Sequence, residues 1–269
     1  MNLSWRVRAF FRSVAGIVFA FLYAPLVIVL VLSFNSDHSL AWPPGGFTFD
    51  WWRRAFENTG ARDALVVSVQ TALGATAVAM LLGMLAAMAV HRFAFFGRET
   101  LSLLIVLPIA LPGIVTGIAL NAAFRQVGFQ FGMLTLIIAH ATFCIVVIYN
   151  NVLARVRRMS PNLEEASADL GGDAFQTFRY VTFPLMRTAL IAGGLLAFGL
   201  SFDEIVVTTF TSGAGLETLP LWIFRNLSRG DQQPIVAAVA SAVMLFSIVP
   251  VWLAQRLTGE PAGFAGGRR

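Results

Sequence analysis

Two carboxylates stand in otherwise apolar sequence: Asp203 and Glu204, inside the run Thr188–Phe210. An ionised acid at the centre of a bilayer costs about 2.5–3.5 kcal/mol on insertion scales, so a pair retained there needs a reason. Two readings stay open. Counted from Arg187 at ~1.5 Å per residue, the acids lie ~25 Å along the run, close to where headgroups would make them cheap. Alternatively they meet a cationic solute, for which carboxylates and aromatic faces are the fitting groups. Ser201, Phe202 and Phe210 flank the acids and Trp222 follows them. The aromatic three are candidate path residues, with packing or an interfacial belt as their plainer roles. His140 lies inside another apolar run, where packing or hydrogen bonding is expected ahead of a proton relay. Cys144, the single cysteine, cannot close an internal disulfide and reads as a small buried apolar residue. No nucleophile elbow or metal-ligand spacing joins His140 to Ser201 or Cys144, so an intramembrane enzyme has no support.

The elements that must position these groups follow from composition. The chain is 57% hydrophobic and 12% charged, against about 25% charged in a soluble domain. A membrane-crossing helix needs about 20 mostly apolar residues. Five runs meet that: Ser13–Phe34, Ala64–Val90, Thr100–Phe124, Phe131–Ala154 and Gln232–Gln255. Thr188–Phe210 is a sixth apart from its two acids, which makes an all-α membrane protein of six spans in one domain over residues 1–269. The uncharged run Ser13–Ser36 is too long for a signal-peptide core, and no small-x-small site ends it, so it is read as a retained span.

All 19 basic residues are Arg. Without Lys there is no Walker A loop, so the chain is no P-loop ATPase by itself. The net charge of +5 is dispersed between apolar runs and forms no basic stripe, which argues against nucleic acid. With six spans, thirteen Arg fall on the side of both termini and six on the other. The positive-inside rule then makes both termini cytoplasmic. Trp5, Trp42, Trp51, Trp52, Trp222 and Trp252 lie near span ends, as an aromatic belt requires. Pro108 and Pro112 should kink the third span, since each removes a backbone donor. Gly74 and Gly83 in the second suit close helix contact.

Residues 155–187 are too long and too patterned for a simple connection. Ser160-Pro161 reads as an N-cap with Pro at the first helical position. A short helix should run to Leu170 and break at Gly171-Gly172. Asp173 and Gln176 form a capping-box pair that starts a second helix, and Phe183-Pro184 should end it. Leu163, Ala166, Leu170, Phe175 and Phe178 give the two helices an apolar set, suited to a partner or to lipid.

Glu165-Ala166-Ser167, Gly171 and Val181-x-Phe183-Pro184 resemble the E-A-A-x3-G-x9-I-x-L-P signature of bacterial ABC importer permeases. The spacing matches throughout, with Ser167, Val181 and Phe183 as conservative departures. Leu107–Gly117, His140–Cys144, Leu200–Gly213 and Thr218–Phe224 are most similar to the second permease subunit of spermidine/putrescine importers. Gly113 stands where those permeases often carry an acid.

The resemblance implies the type I ABC importer permease fold, with coupling helices between the fourth and fifth spans. It implies that Glu165, Ala166, Ser167, Asp169, Gly171 and Pro184 belong to the loop that docks on the ATPase. It implies partners: separate ATP-binding cassette subunits carrying ATP and Mg, a second permease subunit and a periplasmic solute-binding protein. This chain would hold no cofactor, perform no bond chemistry and reside in the bacterial inner membrane. Its substrate path would include Asp203, Glu204, Ser201, Phe202 and Trp222, for a polyamine. An amino acid, a sulfonate or an iron chelate are rival solutes. A secondary transporter is a remoter rival, because it predicts inverted internal symmetry and no coupling loop.

Overall fold

The computed structural model describes residues 4–160 and 162–258, and these are helical and irregular throughout. The β pairing among them is an isolated bridge between Asn35 and Phe47. In chain order the helices are α1 (Trp5–Leu32), α2 (Asp50–Glu57), α3 (Thr59–Arg92), α4 (Arg98–Ala110), α5 (Gly113–Gln126), α6 (Met133–Val156), α7 (Asn162–Asp169) and α8 (Ala174–Thr177). A π segment, Phe178–Thr182, then leads into α9 (Phe183–Phe202), followed by α10 (Val206–Thr211), α11 (Leu219–Leu227) and α12 (Gln233–Thr258).

Among the described residues, four helices are long and apolar enough to cross a membrane: Trp5–Leu32, Thr59–Arg92, Met133–Val156 and Ala174–Phe202. The pair α4 and α5 adds a fifth if counted as one broken span, and Gln233–Ile248 is a shorter apolar helix. The chain divides into two compact units. Among the described residues, one holds those up to Arg62 with Ile223–Leu245; the other holds those of Asp63–Trp222 with those from Phe246 to Thr258.

In the first unit, α1 buries none of its most apolar stretch. A helix that is apolar on every face and unburied in its own chain is made for lipid or another subunit. Its end is organised by Asn35, whose Oδ1 accepts the amides of Asp37 and Gly45, each at 3.2 Å. The Asn35 carbonyl accepts Trp51 Nε1 at 2.7 Å, which fixes the buried face of α2.

The second unit packs α3, α4 and α9 around α6. Ala72, Ala75, Ala79 and Ala87 of α3 are fully buried. A Cβ on Gly83 would lie 2.9 Å from Ile148, and one on Gly194 3.1 Å from Met80. Small residues let backbones approach where lipid supplies no hydrophobic drive between helices, so dispersion and close fit hold this core. Cys144 is buried within it, its thiol 3.4 Å from the Ala197 carbonyl.

Three expectations are corrected. The third span is not one kinked helix: α4 and α5 meet at a 109° bend. Pro112 holds φ at −56° and pushes Leu111 to an extended φ −83°, ψ 146°, so the helix stops and restarts. The fifth span is not continuous over Thr188–Phe210 either, since α9 ends at Phe202 and α10 begins at Val206. Nor does Phe183-Pro184 stop the second loop helix. The chain stays helical from Ala174 to Phe202, and the π segment just before Pro184 absorbs the donor that proline lacks.

The loop's first stop is as expected. Gly171 has φ +81°, its amide donates to the Ala168 carbonyl, and the Gly172 amide donates to the Ser167 carbonyl, both at 2.9 Å. That pair of bonds is a Schellman cap on α7. Asp173 and Gln176 form a reciprocal capping box at 2.8 and 3.0 Å. Pro161 of the expected Ser160-Pro161 start lies outside the described residues, as do Arg268 and Arg269 of the arginine count.

Candidate functional site

The two helix breaks lie side by side. A Cβ on Gly113, the first residue of α5, would sit 3.6 Å from Val206, the first residue of α10. One turn on, a Cβ on Gly117 would lie 2.7 Å from the Phe210 ring. One turn further, Asn121 Nδ2 donates to the Phe210 carbonyl, and its Oδ1 accepts Arg125 Nε at 2.8 Å. Residues 113, 117 and 121 share one helical face, so Gly-x3-Gly-x3-Asn lays α10 directly on α5. The spacing was readable in the sequence, but without a known partner it pointed nowhere.

Across from this contact, α6 clasps both sides of the second break through His140. Its Nδ1 is 2.8 Å from Ser201 Oγ at the end of α9, and its Nε2 is 2.9 Å from Thr208 Oγ1 in α10. Thr208 donates its hydroxyl proton to the Glu204 carbonyl at 2.8 Å. With its own proton on Nε2, His140 therefore donates to Thr208 and accepts from Ser201, and every member is satisfied. All three side chains are buried, where an unmade bond would cost about 1–3 kcal/mol. Further along, Thr135 Oγ1 donates to the Thr211 carbonyl at 2.9 Å, pinning the end of α10 to the start of α6.

Between the pinned ends, the two acids separate in role. Glu204 Oε1 accepts the Val207 amide at 2.9 Å and so caps the first turn of α10. Asp203, at the end of α9, is exposed; its amide donates to the Gly199 carbonyl at 3.2 Å, but its carboxylate has no hydrogen bond or ion pair among the described residues. Phe202 is half-buried and stacked on Phe198 with ring centres 5.9 Å apart. Ser201 is bonded to His140, and Trp222 is buried in α11, whose first amide donates to Ser68 Oγ at 2.8 Å. The site thus gathers Asp203, Glu204, Ser201 and Phe202 at one joint and adds Gly113, Gly117 and Thr208.

The loop residues form a separate place. Glu165, Ala166, Asp169, Gly171 and Pro184 are exposed, and Ser167 is half-buried with its Oγ 2.8 Å from Thr177 Oγ1. A groove between α7 and the π segment is lined by Leu163, Ala166, Leu170, Tyr180 and Val181.

Residues 79–259 match the family described as the binding-protein-dependent transport system inner membrane component. The chain belongs to that family. It is accordingly an ABC importer permease, a multi-pass inner-membrane transport component and not an enzyme. The chain is 35% identical over 243 residues to the Haemophilus influenzae spermidine/putrescine transport system permease protein PotC, covering 90% of this chain and 93% of that one. A bacterial ABC transporter that imports the acidic polysaccharide alginate shares the fold: TM-score 0.72, 17% identity, 97% of this chain and 99% of that one. A second alginate transporter structure, in complex with its alginate-pentasaccharide-bound periplasmic protein, gives 0.70 at 14% identity over 95% and 94%.

Proposed function

We propose that this permease imports a polyamine, putrescine or spermidine, and that the solute crosses at the paired breaks with Asp203 as its carboxylate contact. Discontinuous helices place free backbone groups and side chains inside a membrane, where an unbroken helix offers neither. The observation that carries the reading is the division of labour between the acids: the Glu204 carboxylate is held by the Val207 amide, while the Asp203 carboxylate has no partner among the described residues. An organic cation leaving water gains most from a carboxylate whose oxygens are not already committed to a donor within the protein. The similarity to a spermidine/putrescine permease supports the same class of solute.

In this reading the single permease domain has six spans, with α4–α5 and α9–α10 as broken ones and α12 as the last. α1 covers a second permease subunit and lipid. α7, Gly171 and the exposed apolar groove dock on ATPase subunits that carry ATP and Mg, and a periplasmic binding protein delivers the solute. The arginine asymmetry puts both termini in the cytoplasm. An impermeant thiol reagent applied from outside should then label a cysteine at Gly45 and spare one at Gly172; the reverse pattern would invert the topology.

The solute reading is tested by radiolabelled putrescine uptake in proteoliposomes holding the complete importer. Asp203→Asn should lower uptake about tenfold, ~1.4 kcal/mol, while assembly and basal ATP hydrolysis persist. Unchanged uptake, or a native complex that carries an amino acid or sulfonate in preference, would overturn it.

A further inference from the structure

Glu164 is next to the loop signature and not part of it. It sits in the first turn of α7, where an acid suits the helix dipole. Its neighbour Glu165 is exposed, but Glu164 is turned about 100° away, towards the rest of the chain. One carboxylate oxygen, Oε2, lies 3.7 Å from Arg92 Nη2 at the last residue of α3. The other, Oε1, accepts the hydroxyl of Thr182 at 2.9 Å. Thr182 is buried and closes the π segment that feeds α9.

We propose that Glu164 is a positioning residue that carries movement of α7 into the membrane helices, by tying α7 to the end of α3 through Arg92 and to the start of α9 through Thr182. The inference rests on α7 being the element that meets the ATPase. One end of α7 is a turn that only glycine makes easily, at Gly171. A helix hinged at that end transmits motion only if its other end is fastened. Glu164 fastens it to two long helices at once. The fastening on the α9 side falls in a π turn, a feature found frequently at functional sites of helices. Neither contact is a large contributor to stability. The Arg92–Glu164 pair is partly exposed, its side chains retaining 40% and 35% of their accessibility, and water screens such a pair so that it adds little to stability. The link is therefore suited to transmission, and its removal should leave the fold standing.

The test uses the complete importer in proteoliposomes, with import and ATP hydrolysis measured together. Glu164→Ala should lower the ratio of solute imported to ATP hydrolysed about fivefold or more, the lower end of coupling between distant sites. The ATPase subunits should still co-purify. Glu164→Gln keeps an acceptor for Thr182 and should recover part of the ratio. A second readout needs no solute: a spin label at Leu196 of α9, which is 48% exposed, with partner subunits free of reactive cysteine. Cys144 is fully buried and stays unlabelled. The nucleotide-induced spectral change at that label should shrink in Glu164→Ala. A ratio and spectral change equal to the native ones would overturn the proposal. Loss of the ATPase from the complex would also overturn it, by making Glu164 a docking residue. If the native complex moved the label with nucleotide but imported no polyamine, the solute reading would fail and the label would still decide the link.

Discussion

At Leu111–Pro112 the chain leaves a helix where covalent structure favours leaving: Pro112 has no amide to donate, and its ring disfavours the helical region for the residue before it. At Asp203–Ile205 no proline or glycine stands in the break. There the ends are held by other parts of the molecule, with His140 bonded to Ser201 on one side and Thr208 on the other. The first break has a local covalent cause, to which the contacts of α5 with Phe210 add; the second has no such cause, and α6 holds its ends. The difference assigns the two breaks different work. A break held by side chains from another helix can tighten or loosen as that helix moves, whereas a proline break can only be carried along.

Removing the clasp should therefore have the largest effect. His140→Ala strips partners from two buried hydroxyls and opens a cavity between α6, α9 and α10, which should cost about 3 kcal/mol or more. The unfolding midpoint of the purified permease in detergent would measure it. Pro112→Ala restores an amide at the first break, where α5 is also held by the Gly117–Phe210 and Asn121–Phe210 contacts. Its cost should be about 0.4–1 kcal/mol, chiefly through the unfolded chain. A larger loss from Pro112→Ala than from His140→Ala would reverse the comparison.

The same contrast decides what could be read from the residues alone. Features that a few neighbouring residues determine were legible: the Gly171 stop, the Asp173–Gln176 box, the apolar runs and the disturbance at Pro112, while α4 runs on through Pro108. Even there the size of the disturbance was missed, because whether proline kinks a helix or ends it depends on what the next segment packs against. Pro184 shows the converse, a proline that stops nothing because a π segment precedes it. The break after Phe202 was not legible. It depends on residues 61 and 68 positions apart in the chain, and the local sequence Ser201–Phe210 reads as helix with two acids in it. The separate roles of Asp203 and Glu204 were hidden for the same reason, as was the turn of Glu164 towards Arg92 and Thr182.

The smallest expected effect lies inside the second break and sharpens the comparison most. Glu204 resembles Asp203 in charge and is adjacent to it, yet its carboxylate oxygen is 2.9 Å from the Val207 amide. A capping acceptor needs a lone pair and not a full charge, so Glu204→Gln leaves the cap in place and should change stability by only ~0.5 kcal/mol. Putrescine uptake should stay within about twofold of native, since a twofold change is ~0.4 kcal/mol. Glu204→Ala removes the acceptor and should cost about 1 kcal/mol, the usual loss for a helix cap. The ordering Asp203→Asn far below Glu204→Gln in uptake, with Glu204→Ala below Glu204→Gln in stability, is what one structural acid and one path-facing acid require. If Glu204→Gln instead lost uptake as fully as Asp203→Asn, both charges would meet the solute. The cap would then have to open during transport, and the second break would be mobile at α10 itself and not only where α6 holds it.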